Sequence, residues 1–289
     1  MRRLTLHERQ SMSNPRIFTF WEPKDKIPGY IRLCMKTWER FLPDYEVTLL
    51  DYAALKDYLT QEEIDTFVDT RMSLAKQADC IRCILLDKWG GIWMDADTII
   101  RSGGVFHRLL GGDASVIRER TGLCLGAFLY AAAPHAEFYA RWRSELERRM
   151  QTARRFLGNP LLRIFRRKQW RVVRRWDYCE NAIIDSLADE LKAPGLSVVF
   201  EDEVDPMPER VGRERNVATS THAEYYRRFW FEHNEIPPQV LERNAGLIFL
   251  HNSWTPEGFR NMTEEEFLAS DCSMARLLRD ILGQGAPQG

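Results

Sequence analysis

The chain has 289 residues, of which 44% are hydrophobic, 11% aromatic and 29% charged, and a net charge of -1. Values so close to the globular average exclude wholesale disorder, and the near-zero net charge supplies no bulk pull toward nucleic acid or membrane. The length allows one large α/β domain or two small ones.

Residues 1–14, "MRRLTLHERQSMSN", read as a flexible tail. They hold no apolar core of signal-peptide length, and nowhere does the chain run to the roughly 18 apolar residues of a membrane span. The expectation is therefore a cytoplasmic protein without a cleaved leader. Residues 16–21, "RIFTFW", predict a first strand, followed by the loop "EPKDKIPGY". Over 30–42, Ile31, Cys34, Met35, Trp38, Phe41 and Leu42 recur at helical spacing. A second strand is predicted over 46–50. Residues 73–89 give the most regular helix, with Leu74, Ala78, Ile81, Leu85 and Trp89 three or four apart, Ser73 able to cap it and Gly90-Gly91 ending it. "IWMDAD" then reads as a strand. Further strands are predicted over 114–118 and 123–130, a long helix over 134–155, and a buried strand over 246–251, "GLIFLH". The end, 283–289, reads as disordered. Strand, helix, strand in this order predicts an α/β sheet with helices packed on it.

Two local features stand apart. The six cysteines are scattered, which fits a reducing compartment. Cys80 and Cys83 form a C-x-x-C inside a helical pattern, open to a packing role or to a metal or redox role. Charge is also uneven: residues 141–175 hold 13 Lys/Arg and 2 Glu, and residues 177–209 hold 10 Asp/Glu and one Lys.

The stretch "WGGIWMDADT" raises a chemical question, because a buried run ends on two carboxylates, Asp95 and Asp97. Ligands of open α/β sheets bind at the carboxyl ends of strands. Residues i and i+2 of an extended chain point the same way, so the two acids converge if the chain stays extended. Paired carboxylates repel, and a divalent cation removes that conflict. Mg²⁺ or Mn²⁺ binds one or two carboxylates together with phosphate oxygens. The plainer alternative is a strand ending in a polar turn. A second apolar run ends in His251-Asn252-Ser253-Trp254, whose side chains can serve a metal or a phosphate. Asp79 and Arg82, three apart on the helix, share a face and are open to a simple ion pair. Trp21 is open to a core role or to stacking on a ligand.

These stretches resemble DXD-motif glycosyltransferases of the GT-A fold. "RIFTFWEP", "IRLCMKTWERFLPDYEVTLLD", "AKQADCIRCILLDKWGGIWMDADTI" and "HNSW" carry the resemblance over most of residues 16–254. The nearest family is the capsular-polysaccharide-synthesis type of glycosyltransferase family 32, akin to the catalytic domains of glucosylating bacterial toxins. The resemblance implies an α/β, Rossmann-like mixed central sheet flanked by helices, in one domain over 15–282 with a helical, Arg-rich insertion at about 135–190. It implies Asp97 as a direct ligand of Mn²⁺ or Mg²⁺, with Asp95 touching the donor ribose and reaching the metal through water. It places Asp79 and Arg82 on the donor sugar and nucleotide, and Trp21 with its neighbour Phe20 at the base. His251, Ser253 and Trp254 would close over the diphosphate and metal. The implied partners are a nucleotide-sugar donor, UDP-linked by preference, and a saccharide, glycolipid or protein hydroxyl acceptor. Such relatives serve polysaccharide or glycolipid synthesis and retain the anomeric configuration.

The chain departs from the pattern at Ala78, where relatives often carry Ser. The basic stretch has no counterpart in that pattern. It is open to an anionic membrane surface, to nucleic acid, or to pairing with the acidic block that follows, and nucleic acid is the least favoured. A haloacid-dehalogenase-like phosphatase also uses a D-x-D strand end, but no Asp-Asp pair follows here. An inactive, membrane-associated scaffold is the non-enzymatic alternative.

Overall fold

In a computed structural model of the protein, residues 16–191, 195–205, 219–232 and 246–283 are described. In chain order the main elements are β1 (Arg16–Phe20), α1 (Gly29–Phe41), β2 (Glu46–Leu50), α2 (Gln61–Phe67), α3 (Leu74–Trp89), β3 (Gly91–Met94) and β4 (Thr98–Ile100). There follow β5 (Ala114–Arg118), β6 (Cys124–Ala131), α4 (Glu137–Gly158), α5 (Pro160–Phe165), α6 (Arg167–Val173), α7 (Asn181–Glu190) and β7 (Ser197–Phe200). The last are α8 (Thr219–Arg227), β8 (Leu247–Phe249), α9 (Glu264–Ala269) and α10 (Ser273–Leu282). The two expected tails, 1–14 and 283–289, lie outside the described residues, apart from Gly283 at the end of α10.

The chain divides into two units: residues up to 24, 44–95 and 108–200 form the first, and 25–43, 96–107 and 201 onward the second. The first unit is built on a six-stranded sheet of order β2-β1-β3-β6-β5-β7. β1 runs parallel to β2 and β3, β6 runs antiparallel to β3 and β5, and β7 is parallel to β5. This mixed sheet flanked by helices bears out the expected α/β class. The helical, Arg-rich stretch is also present, as α4 to α7.

Helix α3 departs from its sequence pattern in an instructive way. Its predicted stripe makes one face apolar, yet Leu74 is exposed while Cys80, Ile81, Cys83, Ile84, Leu85 and Leu86 are all fully buried. The helix packs on β1, β3 and β6 and also against α4, so its interior turns have no solvent face. Helix α4 supplies the matching stripe: Phe138, Trp142, Leu146, Met150 and Ala153 are all buried. Burying each such large apolar side chain stabilises the fold by about 1.5–3 kcal/mol. Ser73 occupies the N-cap of α3 but makes no side-chain capping bond, contrary to expectation. Gly90 and Gly91 end the helix as expected, with φ of 66° and 92°. A Cβ on Gly91 would stand 2.6 Å from the Arg16 carbonyl oxygen, so this turn into β3 requires glycine. All six cysteines are buried free thiols, and Cys80 Sγ lies 3.8 Å from Met150 Sδ, in keeping with packing.

The second unit has its own framework. β4 and β8 pair antiparallel, with Ile99 opposite Ile248. Helix α1 packs on β4: the Trp38 indole N–H donates to the Thr98 carbonyl (2.7 Å), and the Ile100 N–H donates to Thr37 Oγ1 (2.9 Å). Helices α9 and α10 cover α1, and Tyr30 stacks on Phe267 at 5.6 Å. No helix among the described residues is long and apolar enough to cross a membrane.

Candidate active site

β3 is buried from Ile92 to Met94, and it delivers Asp95 at its end. The Asp95 backbone N–H still donates to the Ala127 carbonyl on β6 (2.9 Å), which fixes the acid beside the sheet. Its side chain is half-buried and meets two donors. The Trp93 indole N–H donates to Asp95 Oδ1 (2.9 Å), and Arg82 Nη2 lies 3.1 Å from the same oxygen. Asp95 Oδ2 takes no hydrogen bond among the described residues.

Arg82 is the centre of the group. Its Nη1 donates to Glu180 Oε1 (2.9 Å), its Nη2 is 3.4 Å from Asp79 Oδ1, and its guanidinium lies 5.1 Å from the Trp93 ring centroid. Arg82, Asp79 and Glu180 are all buried. Burial lowers the Arg82 pKa, but Asp95, Glu180 and Asp79 outweigh it and hold the group more firmly charged than usual. Burial first, and then the Glu180 charge, push the Asp79 carboxyl well above the ordinary carboxylate range, with Arg82 acting the other way. Burial also raises Glu180, against Arg82 and together with Asp95. Asp79 and Glu180 thus crowd one guanidinium together with Asp95, and both buried carboxyls are pushed above the ordinary carboxylate range. The Arg82 Nε–H is a buried donor without a hydrogen-bond partner.

Two residues of this group were not read from the sequence. Glu180 sits in the acidic block, 98 residues from Arg82, and only the fold brings it to β6. It is set there by the start of α7, where Asn181 donates to the Cys124 carbonyl and the Cys124 N–H donates to Asp185 Oδ1 (2.7 Å). Gly126 leaves the room: a Cβ there would stand 2.0 Å from both Arg82 Nη1 and Glu180 Oε1.

The expected convergence of Asp95 and Asp97 required an extended chain. β3 ends at Met94, and Ala96 and Asp97 form a turn before β4 opens, so strand alternation does not orient them. Asp95 belongs to the first unit and Asp97 to the second.

Within the second unit, Asp97 is half-buried and held by the strand-end loop after β8. The Leu250 N–H donates to the Asp97 carbonyl (3.1 Å), and the Asn252 N–H donates to Asp97 Oδ2 (3.0 Å). The Tyr30 hydroxyl donates to Asn252 Oδ1 (2.7 Å). Burial, then the Asp97 charge, push the Tyr30 pKa up, so that hydroxyl stays a donor. "HNSW" forms a tight turn in which the Trp254 N–H donates to the His251 carbonyl (2.9 Å) and the two rings lie 4.0 Å apart. Tyr226 packs edge-on to both rings. Ser253 is exposed. Trp21, in the first unit, is half-buried, with its backbone N–H donating to the Leu50 carbonyl (2.9 Å). Phe20 lies in the core, 5.5 Å from the Tyr52 ring.

Residues 2–121 match the family model of the capsular polysaccharide synthesis protein. The match bears out the resemblance read from the sequence. It spans less than half of the chain and includes Trp21, Asp79, Arg82, Asp95 and Asp97, while Glu180 and the His251 to Trp254 turn lie beyond it. No curated protein matches the chain. Among solved structures, the chain is similar to the PaToxG glycosyltransferase, at 13% identity over 93% of this chain and 87% of that one, TM-score 0.43. It is also similar to a glycosyltransferase involved in glycosylating the major capsid of PBCV-1, at 10% identity over 85% and 96%, TM-score 0.43. A third is an active-site mutant of LgtC, at 13% identity over 94% and 98%, TM-score 0.41.

Proposed function

We propose that the protein is a metal-dependent glycosyltransferase that moves a sugar from a nucleoside diphosphate sugar, UDP-linked by preference, to an acceptor hydroxyl. The acceptor is a saccharide, glycolipid or protein hydroxyl, the setting polysaccharide or glycolipid synthesis, and the configuration retained. A cytoplasmic chain working against an anionic membrane surface completes the proposal. The observation that carries it is the buried Asp79–Arg82–Glu180 group at the end of β3, aimed at a half-exposed Asp95. Burying three ionisable groups is costly unless they are paired, and here they position one carboxylate at a strand end, where α/β sheets bind ligands. The family match over the residues that supply Asp79, Arg82, Asp95 and Asp97 supports the same reading.

The donor chemistry fits a divalent cation. Among the described residues no group of three or more His, Cys, Asp or Glu side chains is placed to hold a metal alone. Asp97, with His251 in the adjoining loop, is a set of one or two donors, which suits Mg²⁺ or Mn²⁺ completing its shell from diphosphate oxygens. Asp97 would hold the ion, whose contribution is Lewis-acid stabilisation of the leaving diphosphate. In the proposal Asp95 accepts from the donor ribose through Oδ2 and is oriented by Trp93 and Arg82, which hold its Oδ1. Arg82 adds a fixed positive charge, and Asp79 and Glu180 hold it in place. Trp21 stacks on the base. His251, Ser253 and Trp254 border the diphosphate.

Thermal melts with UDP, GDP, CMP and dTDP, each with and without Mn²⁺, test the binding half of this reading. A metal-dependent rise with one nucleoside diphosphate, reduced in Arg82→Lys, is expected. The absence of any rise across the panel contradicts it.

A further inference from the structure

Five of the seven large apolar side chains that stand exposed among the described residues fall within 161–176: Leu161, Ile164, Phe165, Val172 and Trp176. Ile164 and Phe165 are 70% and 80% exposed. Leu161, Ile164 and Phe165 are spaced i, i+3, i+4 on α5 and so share a face. Clusters of this kind on a folded surface mark interaction sites.

The exposure does not come from a loose segment. Asn159 caps α5 by accepting from the Leu161 and Leu162 N–H groups. Arg163 donates to the Phe156 and Leu157 carbonyls at 2.7 Å each, satisfying the end of α4. Trp170 on α6 stacks on Phe156 at 5.8 Å, and Lys76 donates to the Val173 carbonyl (2.9 Å). The α5–α6 pair is thus pinned by its inner side chains while its outer side chains face solvent.

Charge selects the occupant. Residues 160–176 contain six Arg and one Lys and no acidic residue. Beside the pair lies a cavity of about 750 Å³ whose lining includes Arg155, Phe156, Leu162 and Arg166. Neither Arg155 nor Arg166 is paired with a carboxylate among the described residues. Cationic side chains around an apolar ridge match the interface of an anionic bilayer, where phosphates sit beside acyl chains. A second copy of this surface would meet like charge, and a nucleic-acid backbone would leave Ile164 and Phe165 in water.

We infer that α5 and α6 dock the protein on an anionic phospholipid bilayer, with Leu161, Ile164 and Phe165 entering the headgroup boundary and Arg155 and Arg166 taking a lipid phosphate. This deepens the membrane part of the proposed function and is independent of its catalytic part.

Co-sedimentation with vesicles of phosphatidylcholine alone, or mixed with phosphatidylglycerol, reads docking without turnover. Wild type is expected to bind the mixed vesicles and to release them at high salt. Ile164→Ser with Phe165→Ser is expected to weaken binding about tenfold or more, since two exposed apolar side chains lose their burial. Arg155→Gln with Arg166→Gln is expected to weaken binding to the mixed vesicles alone. Leu74→Ser, an exposed apolar site outside α5 and α6, is the control expected to bind as wild type. All the changed side chains lie at the surface, and unchanged circular dichroism confirms folding. Absence of wild-type binding to the mixed vesicles, equal binding by the Ile164/Phe165 variant, or displacement by an oligonucleotide that the protein binds more tightly would each overturn the inference. Failure here with intact sugar transfer would remove the docking surface and leave the catalytic reading standing.

Discussion

Gly126 and Glu180 set the position of Arg82, and Gly126 and Asp79 each make a separable prediction. Gly126→Ala drives a methyl group into the Arg82–Glu180 contact. The expected cost is about 1–3 kcal/mol of stability, as for other overpacked interiors, with a loss of activity on the order of 10²-fold from a displaced guanidinium. Chemical denaturation and a turnover assay on the same preparation check both. Asp79 supplies a pH signature. Its folded pKa is raised, so the native state holds the proton more tightly than the unfolded chain does. The stabilisation is complete below the ordinary value of about 4 and declines as pH rises from there through the folded value. Wild type is therefore expected to lose stability relative to Asp79→Asn across that range. Parallel melts from acid to neutral pH measure the difference, and a constant gap would show that folding does not shift the Asp79 carboxyl, contradicting the expectation.

At the scale of elements, the turn from α3 into β3 is a tight backbone constraint just ahead of Asp95. Gly91→Ala places Cβ against the Arg16 carbonyl at a positive φ, and a destabilisation of about 1–3 kcal/mol or more is expected, read by urea unfolding. The elements that sequence periodicity conveyed well are those with a single local signal. β2 and β5 run over the expected residues, and α1 and α4 differ by only a few residues at their ends. What periodicity did not convey was set by partners distant in the chain. The interior turns of helix α3 have no outer face because β-strands and α4 enclose them. The Asp95 to Asp97 step turns because β4 pairs with β8, a partner some 150 residues later, and not with the sheet that holds β3. Asp79 and Arg82 were legible as a pair at helical spacing, whereas Glu180 carried no local pattern that tied it to them.

At the scale of the molecule, the two acids of the D-A-D stretch are each supported within their own unit. Asp95 is held by Trp93 and Arg82, and Asp97 by the backbone of Leu250 and Asn252. Loss of either acid is therefore expected to impair chemistry far more than folding. The measurement that tests the central claim most directly is release of nucleoside diphosphate from a panel of nucleotide sugars, water serving as acceptor, with Mn²⁺ present or chelated. Wild type should release the product with one donor and only with the metal, and Asp97→Asn should fall by about 10²-fold or more while melting as wild type does. Turnover by Asp97→Asn at the wild-type rate under saturating donor, or release that ignores the metal, would contradict the account.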